Sequence, residues 1–156
     1  MRRVRARRSG FIDLRGILIG DYIVLFASLL TLVSLFLPWF VSSIPPAAAH
    51  NQNAFTYSPV ASTVVIVFFL VTLFLVIYPA LSPDLGLPPL PFSTPLVFLT
   101  LGAVLLLVFT YELGKYACIQ CLGVGRGYGV WLGLVAAGVY VIGAVIKWGS
   151  RPVRRG

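Results

Sequence analysis

This sequence has very little charge. Only 10% of its 156 residues are charged, and only four of those are acidic, whereas soluble domains carry about a quarter. The mean hydropathy is +0.98. These values exclude an ordinary soluble protein, and the short segments between apolar runs leave no room for a separate soluble domain.

Several kinds of site are also missing. His50 is the only histidine, and without other ligand-type side chains near it a metal site is not predicted. The sequence has no strand-linked phosphate loop and no Ser/His/Asp set. No long apolar run has an ionisable residue at its centre. Because ion and proton pathways usually contain such residues, a transporter or channel is disfavoured.

Long apolar runs are what the chain does have. Each is close to the ~20 residues that cross ~30 Å of hydrocarbon, and the four cover residues 22–41, 60–81, 96–113 and 128–146. They predict an all-α integral membrane protein, a four-transmembrane-helix bundle with both termini cytoplasmic. Its transmembrane domain covers 22–148, between a basic tail at 1–21, with an interfacial helix, and a second basic tail at 149–156.

The placement of basic residues gives this orientation. All of the twelve lysines and arginines except Lys115 and Arg126 lie on the two tails, and the positive-inside rule makes the side with those tails cytoplasmic. We therefore expect a multi-pass protein of a prokaryotic plasma membrane. The first tail is predicted to contact anionic lipids rather than nucleic acid, through Arg2, Arg3, Arg5, Arg7 and Arg8.

Individual residues at the rims of the spans have predicted roles. Pro38 is expected to end or kink the first span, and Trp39 to anchor it at the outer interface. Asp21 stands where an N-cap would stand. Glu112, at the outer end of the third span, has two interpretations: an ion pair with Lys115 at the rim, or a buried proton-handling group facing the bundle.

Small residues recur every four positions near the fourth span. Gly125, Gly129, Gly133 and Ala137 would line one helix face and allow another helix to approach closely. The pattern leaves open whether that helix belongs to the same chain.

The two cysteines, Cys118 and Cys121, form a Cys-x-x-Cys on the predicted outer side, where a disulfide can persist. The segment Tyr116–Leu122 resembles the redox motif of the vitamin K epoxide reductase family, four-helix membrane proteins. That resemblance implies a redox pair beside a quinone. Residues 42–59 contain no second cysteine pair, so electrons would come from an outside partner.

A second resemblance covers more of the chain. The motif LFLPWF at 35–40, with GYGVWL at 127–132, is similar to small uncharacterised four-helix membrane proteins of actinobacteria and related bacteria. That family has no established activity, and membership would make the cysteines at most a stabilising loop disulfide.

Two functions follow from these features. The first is a non-catalytic multi-pass membrane protein, an accessory or scaffold subunit of a membrane complex, with lipids and other membrane-protein subunits as partners and no cofactor. The alternative is a quinone-linked thiol–disulfide oxidoreductase that uses the cysteine pair. Whether the protein is an enzyme stays open at this point, with no confident catalytic residue.

Overall fold

A computed structural model describes residues 19–42, 52–81, 93–115 and 124–149. Helices predominate within these ranges, with three short strands near one end of the long helices. In chain order the elements are α1 (Ile19–Ser34), β1 (Pro38–Ser42), β2 (Gln52–Asn53), α2 (Ala54–Tyr57), α3 (Pro59–Leu81), α4 (Thr94–Lys115), β3 (Val124–Arg126) and α5 (Tyr128–Gly149).

Three of these helices are long and apolar enough to cross a membrane: α3 over Pro59–Tyr78, α4 and α5. Their outer surfaces are apolar too, with Val60 75%, Leu107 69% and Val135 63% exposed. A surface of this composition suits hydrocarbon rather than water. The prediction of a helical membrane protein is confirmed at this level. The first predicted span corresponds to α1, which is apolar but has only 16 residues.

Helix α5 lies against both α1 and α4, and α1 also packs on α3. Helices α1 and α5 are antiparallel: near the start of α1, Ile23 and Val24 lie against Gly143, and at its end the Ser34 carbonyl lies against Gly129. Because glycine has no side chain, the two backbones approach closely along this contact. The buried core is therefore organised around α5.

The end of α1 differs from the sequence prediction. A helix was expected to continue to residue 41, but α1 ends at Ser34 and residues 38–42 form β1. The hydroxyl of Thr31 donates to the Ser28 carbonyl at 2.7 Å, and that of Ser34 to the Thr31 carbonyl at 2.6 Å. Such bonds compete with the helical pattern. Pro38 then cannot continue the helix, since it has no N–H and disfavours a helical residue before it.

The three strands form an antiparallel sheet in the order β2-β1-β3. Phe40 of β1 pairs with Gln52 on one side and with Arg126 on the other. The Gly127 amide adds a hydrogen bond of 2.9 Å to the Trp39 carbonyl. This sheet is absent from the all-α prediction, because two of its strands are too short to leave a periodic pattern. The sheet joins the segment before α2 and the segment before α5 to the segment that follows α1.

Candidate functional site at the sheet end of the bundle

The candidate site lies next to the sheet, at the carboxyl end of α4. Glu112 is only 3% exposed, and its Oε1 accepts hydrogen bonds from Ser58 Oγ at 2.9 Å and from Lys115 Nζ at 2.8 Å. Its other oxygen, Oε2, is buried without a hydrogen-bond partner among the described residues. The carboxylate is thus ion-paired with Lys115, as the first interpretation of Glu112 expected, and it is also buried; a role in handling protons stays a prediction.

Trp39 lies at this same end, and its position contradicts the predicted interfacial anchor. The side chain is fully buried. Its indole Nε1 donates to the Ser34 carbonyl at 2.7 Å, and its ring centroid is 5.6 Å from that of Phe109 on α4. Since the chain turns back after α1, the indole is carried inside the bundle, where it caps one of the last free carbonyls of that helix.

The predicted small-residue face of α5 is divided between different neighbours. Gly129 lies against the Trp39 indole, and Gly133 lies against the Phe109 ring so closely that neither site has room for a side chain. Ala137 is fully buried. Gly125 does not belong to this face: it lies in β3, before the helix, and the nearest neighbour of its would-be Cβ is the Val41 carbonyl oxygen at 3.8 Å.

A polar contact also lies in the middle of the bundle. The hydroxyls of Thr72 on α3 and Tyr140 on α5 are 3.0 Å apart, and both residues are fully buried. Two aromatic rings surround Tyr140, that of Phe68 at a centroid distance of 4.8 Å and that of Phe98 at 6.4 Å. One hydrogen bond therefore joins two helices in an otherwise apolar layer.

At the opposite end, Asp21 pairs with Lys147 across α1 and α5. Asp21 lies in the first turn of α1 rather than before it, so the predicted N-cap is wrong. The Lys147 ammonium also lies 4.4 Å from the centroid of the Phe98 ring. Lys147 was assigned to a basic tail, but it is part of α5 and its side chain is only 13% exposed.

The remaining polar side chains of the long helices mostly bond to their own helix. Ser28 donates to the Leu25 carbonyl, and Ser62 and Thr63 donate to the carbonyls of Ser58 and Pro59. In the part of the chain that the structure describes, no group of three His, Cys, Asp or Glu residues could hold a metal ion. The described polar groups thus form separate layers rather than a continuous polar path.

Several predicted site residues lie outside the described ranges. These are the cysteine pair and the arginines of the first tail: Cys118, Cys121, Arg2, Arg3, Arg5, Arg7 and Arg8. Their predicted roles stay predictions.

Sequence reasoning missed the partners Ser58, Thr72 and Tyr140. Ser58 follows a polar segment and gives no signal of burial. Tyr140 did offer one, because a tyrosine in the middle of a membrane span needs a hydrogen-bond partner. Lys147 offered another, since it lies four residues after Gly143 and therefore on the same face of α5.

Comparisons with known proteins add no relative: no protein-family model, no curated protein and no solved structure matches this chain. The two resemblances noted in the sequence are therefore neither supported nor opposed, and the function has to be argued from the geometry.

Proposed function

We propose that the protein is a non-catalytic multi-pass membrane protein, an accessory or scaffold subunit of a larger membrane complex. The observation that carries this proposal is the state of its interior polar groups. Glu112, Thr72, Tyr140, Asp21 and Lys147 all hold helices together, in three layers separated by apolar packing. Except for Glu112 Oε2, which has no partner among the described residues, these groups bond to one another, and buried polar groups used in this way support structure rather than transport or catalysis.

We further propose that α1 is the fourth span. A helix of 16 residues is about 24 Å long at 1.5 Å per residue, less than ~30 Å of hydrocarbon. However, α1 and the turn after it run beside α5 from Lys147 to Gly129. Helix α1 and this turn therefore cover the same depth as α5, which is itself long enough to cross the membrane.

Four spans put the start of α1 and the end of α5 on one side, in agreement with the contact between Asp21 and Lys147. Both tails outside these residues are basic, which supports a cytoplasmic location for that side in a prokaryotic plasma membrane. Thiol labelling of intact cells with a membrane-impermeant maleimide, before and after reduction, tests this orientation through Cys118 and Cys121. If the cysteines are labelled only in broken cells, the orientation is the reverse of the one proposed.

The scaffold role is tested on the native assembly. After extraction in a mild detergent, the wild-type protein and the double variant Cys118→Ser/Cys121→Ser are compared by native electrophoresis and by rescue of a deletion strain. A scaffold predicts one assembly, larger than the 17.0 kDa chain, for both proteins, and equal rescue. An assembly that forms normally while rescue is lost would favour the quinone-linked oxidoreductase. A wild-type chain that migrates alone would contradict the scaffold.

A further inference from the structure

One side of α5 points away from the other described helices. Its large side chains are between 47% and 81% exposed and recur at spacings of three, four or seven residues, which places them on one side of the helix: Tyr128, Trp131, Val135, Ile142 and Val145. The buried residues of α5, among them Gly133 and Tyr140, lie on the opposite side. We call the side with these five residues the exposed face of α5. Because α5 is long and apolar enough to cross a membrane, this face is open to lipid or to another transmembrane helix.

Gly138 lies in the middle of the exposed face and differs from the packed glycines of the bundle. A side chain at Gly129 or Gly133 would collide with Trp39 or Phe109, whereas a Cβ at Gly138 would meet nothing within 4 Å. Glycine inside a helix costs about 1 kcal/mol relative to alanine, and no contact among the described residues requires it here. Small residues on membrane helices allow the backbone of another helix to approach closely. Gly138 therefore gives the exposed face a notch that fits a helix from outside.

Arg126 lies at the sheet end of the same face. It belongs to β3, two residues before α5, and its Cζ is 5.9 Å from the centroid of the Trp131 ring. Its Nε is buried without a hydrogen-bond partner among the described residues. A guanidinium stays charged and presents five donors, and a charged group at the edge of a membrane span usually pairs with an opposite charge. Arg126 therefore requires an acceptor.

The chain supplies no carboxylate for Arg126 at this end. It has only four acidic residues: Asp13, Asp21, Asp84 and Glu112. Asp21 pairs with Lys147 at the opposite end of the bundle. The two aspartates outside the described residues precede α1 or fall between α3 and α4 in the sequence, and the helix ends that they adjoin lie at the end of Lys147. Glu112 pairs with Lys115. The counter-ion of Arg126 therefore comes from another molecule.

We propose that the exposed face of α5 binds a transmembrane helix of a different subunit, which packs at Gly138 and places a carboxylate beside Arg126. This inference rests on the scaffold role, and it names the surface used and the chemistry of the partner. A second copy of the chain would bring another Arg126 and no further carboxylate to this end. A lipid phosphate would neutralise Arg126, but flexible acyl chains do not require a glycine at position 138.

Photo-crosslinking in native membranes tests this surface. The full chain carries p-benzoylphenylalanine in place of Val135, which is 63% exposed, and is expressed in the deletion strain. The matched control carries the same residue in place of Leu107 on α4, which is 69% exposed. We expect a protein adduct from position 135 that is absent from position 107. Mass spectrometry then identifies the partner and the acidic residue of its helix that lies at the depth of Arg126.

Variants in the background of the position-135 crosslinker separate specific docking from chance proximity. Gly138→Leu fills the notch without a clash inside the chain and should lower the yield of the adduct about tenfold. Gly114→Leu is its control, because a Cβ at Gly114 on α4 also meets nothing within 4 Å, and it should leave the yield unchanged. Arg126→Glu should lower the yield more than about tenfold, since like charges then face each other, and Arg126→Lys should retain most of it. Changing the partner's acidic residue to arginine should restore the adduct with Arg126→Glu.

The contrary results are distinct from those that contradict the scaffold. An adduct of lipid mass alone at position 135 would overturn the proposal and assign the face to lipid. So would a protein adduct that survives Gly138→Leu or Arg126→Glu. An assembly that is intact on native electrophoresis but gives no adduct at position 135 would overturn this docking surface and leave the scaffold role standing. A wild-type chain that migrates alone would contradict both.

Discussion

The two ends of the bundle use ion pairs of the same chemistry in different ways. At the sheet end, Glu112 and Lys115 are three residues apart on one helix, with side chains 3% and 37% exposed. At the other end, Asp21 and Lys147 belong to α1 and α5, with side chains 9% and 13% exposed. The first pair is local with a half-exposed cation, whereas the second is long-range and buried on both sides.

The difference between the two ion pairs follows from the other contacts that stabilise each end of the bundle. The sheet end is closed by β1, β2 and β3 and by the buried Trp39. Its ion pair therefore has only to neutralise Glu112, which also bonds to Ser58, the residue between α2 and α3. At the far end, the described residues include no strand. The pair between α1 and α5 is itself a cross-link there. We therefore expect the sheet end to depend on packing and the far end on charge.

The largest effect is expected from Trp39→Ala. Removing a fully buried indole leaves a cavity between α4 and α5 and frees the Ser34 carbonyl, and such substitutions cost about 4 kcal/mol. The free energy of unfolding would be measured by titration with dodecyl sulfate in mixed micelles, followed by circular dichroism. Trp131→Ala, at an exposed ring, is the control and should change this energy by about 0.5 kcal/mol or less. Equal losses in both variants would refute a sheet end held by packing.

Lys147→Ala should have the next largest effect. It removes the ammonium that pairs with the buried Asp21 carboxylate, and removing one partner of a buried ion pair typically costs about 3 kcal/mol. The same unfolding titration measures the loss. The double variant Asp21→Asn/Lys147→Met should recover most of it, because no buried charge is then left unpaired. If Lys147→Ala were as stable as the wild type, the pair of Asp21 and Lys147 would not act as a cross-link.

A smaller loss is expected from Lys115→Ala. Its ammonium is partly solvated, so the pair with Glu112 contributes about 1 kcal/mol or less, and Ser58 still donates to the carboxylate. Lys115→Arg keeps the charge and should be neutral in the same titration. If Lys115→Ala destabilised the protein as much as Lys147→Ala, the contrast between the two ends would disappear.

The smallest effect is expected in the middle of the bundle, from Tyr140→Phe. Hydrogen bonds between membrane helices average about 0.6 kcal/mol, and only one joins Thr72 to Tyr140. Thr72→Val should cost a similar amount. Combining the two should cost no more than either alone, since the same bond is removed. Additive losses in this double-mutant cycle would mean that the two hydroxyls are stabilised independently.

Part of the candidate site could be foreseen. The three-residue spacing of Glu112 and Lys115 predicts their ion pair, because residues at that spacing lie on one helix face. Ser58 could not be predicted as their partner, since it lies 54 residues away along the chain and depends on how α3 packs on α4. The burial of Glu112 likewise depends on that packing. The small residues of α5 indicated close contacts but not which neighbours make them.

By itself, the sequence determined the apolar helices and their membrane-type surface, because length and hydrophobicity are local properties that a bilayer selects directly. It also indicated that the first helix is interrupted near Pro38, which cannot be accommodated in a helix interior, but not that α1 ends at Ser34. Only the tertiary structure decided that the chain after α1 becomes the central strand of a sheet, that Trp39 is buried, and that Asp21 meets Lys147. Each of these depends on contacts between segments far apart in the chain, and no local pattern specifies which distant backbone or side chain will be the partner.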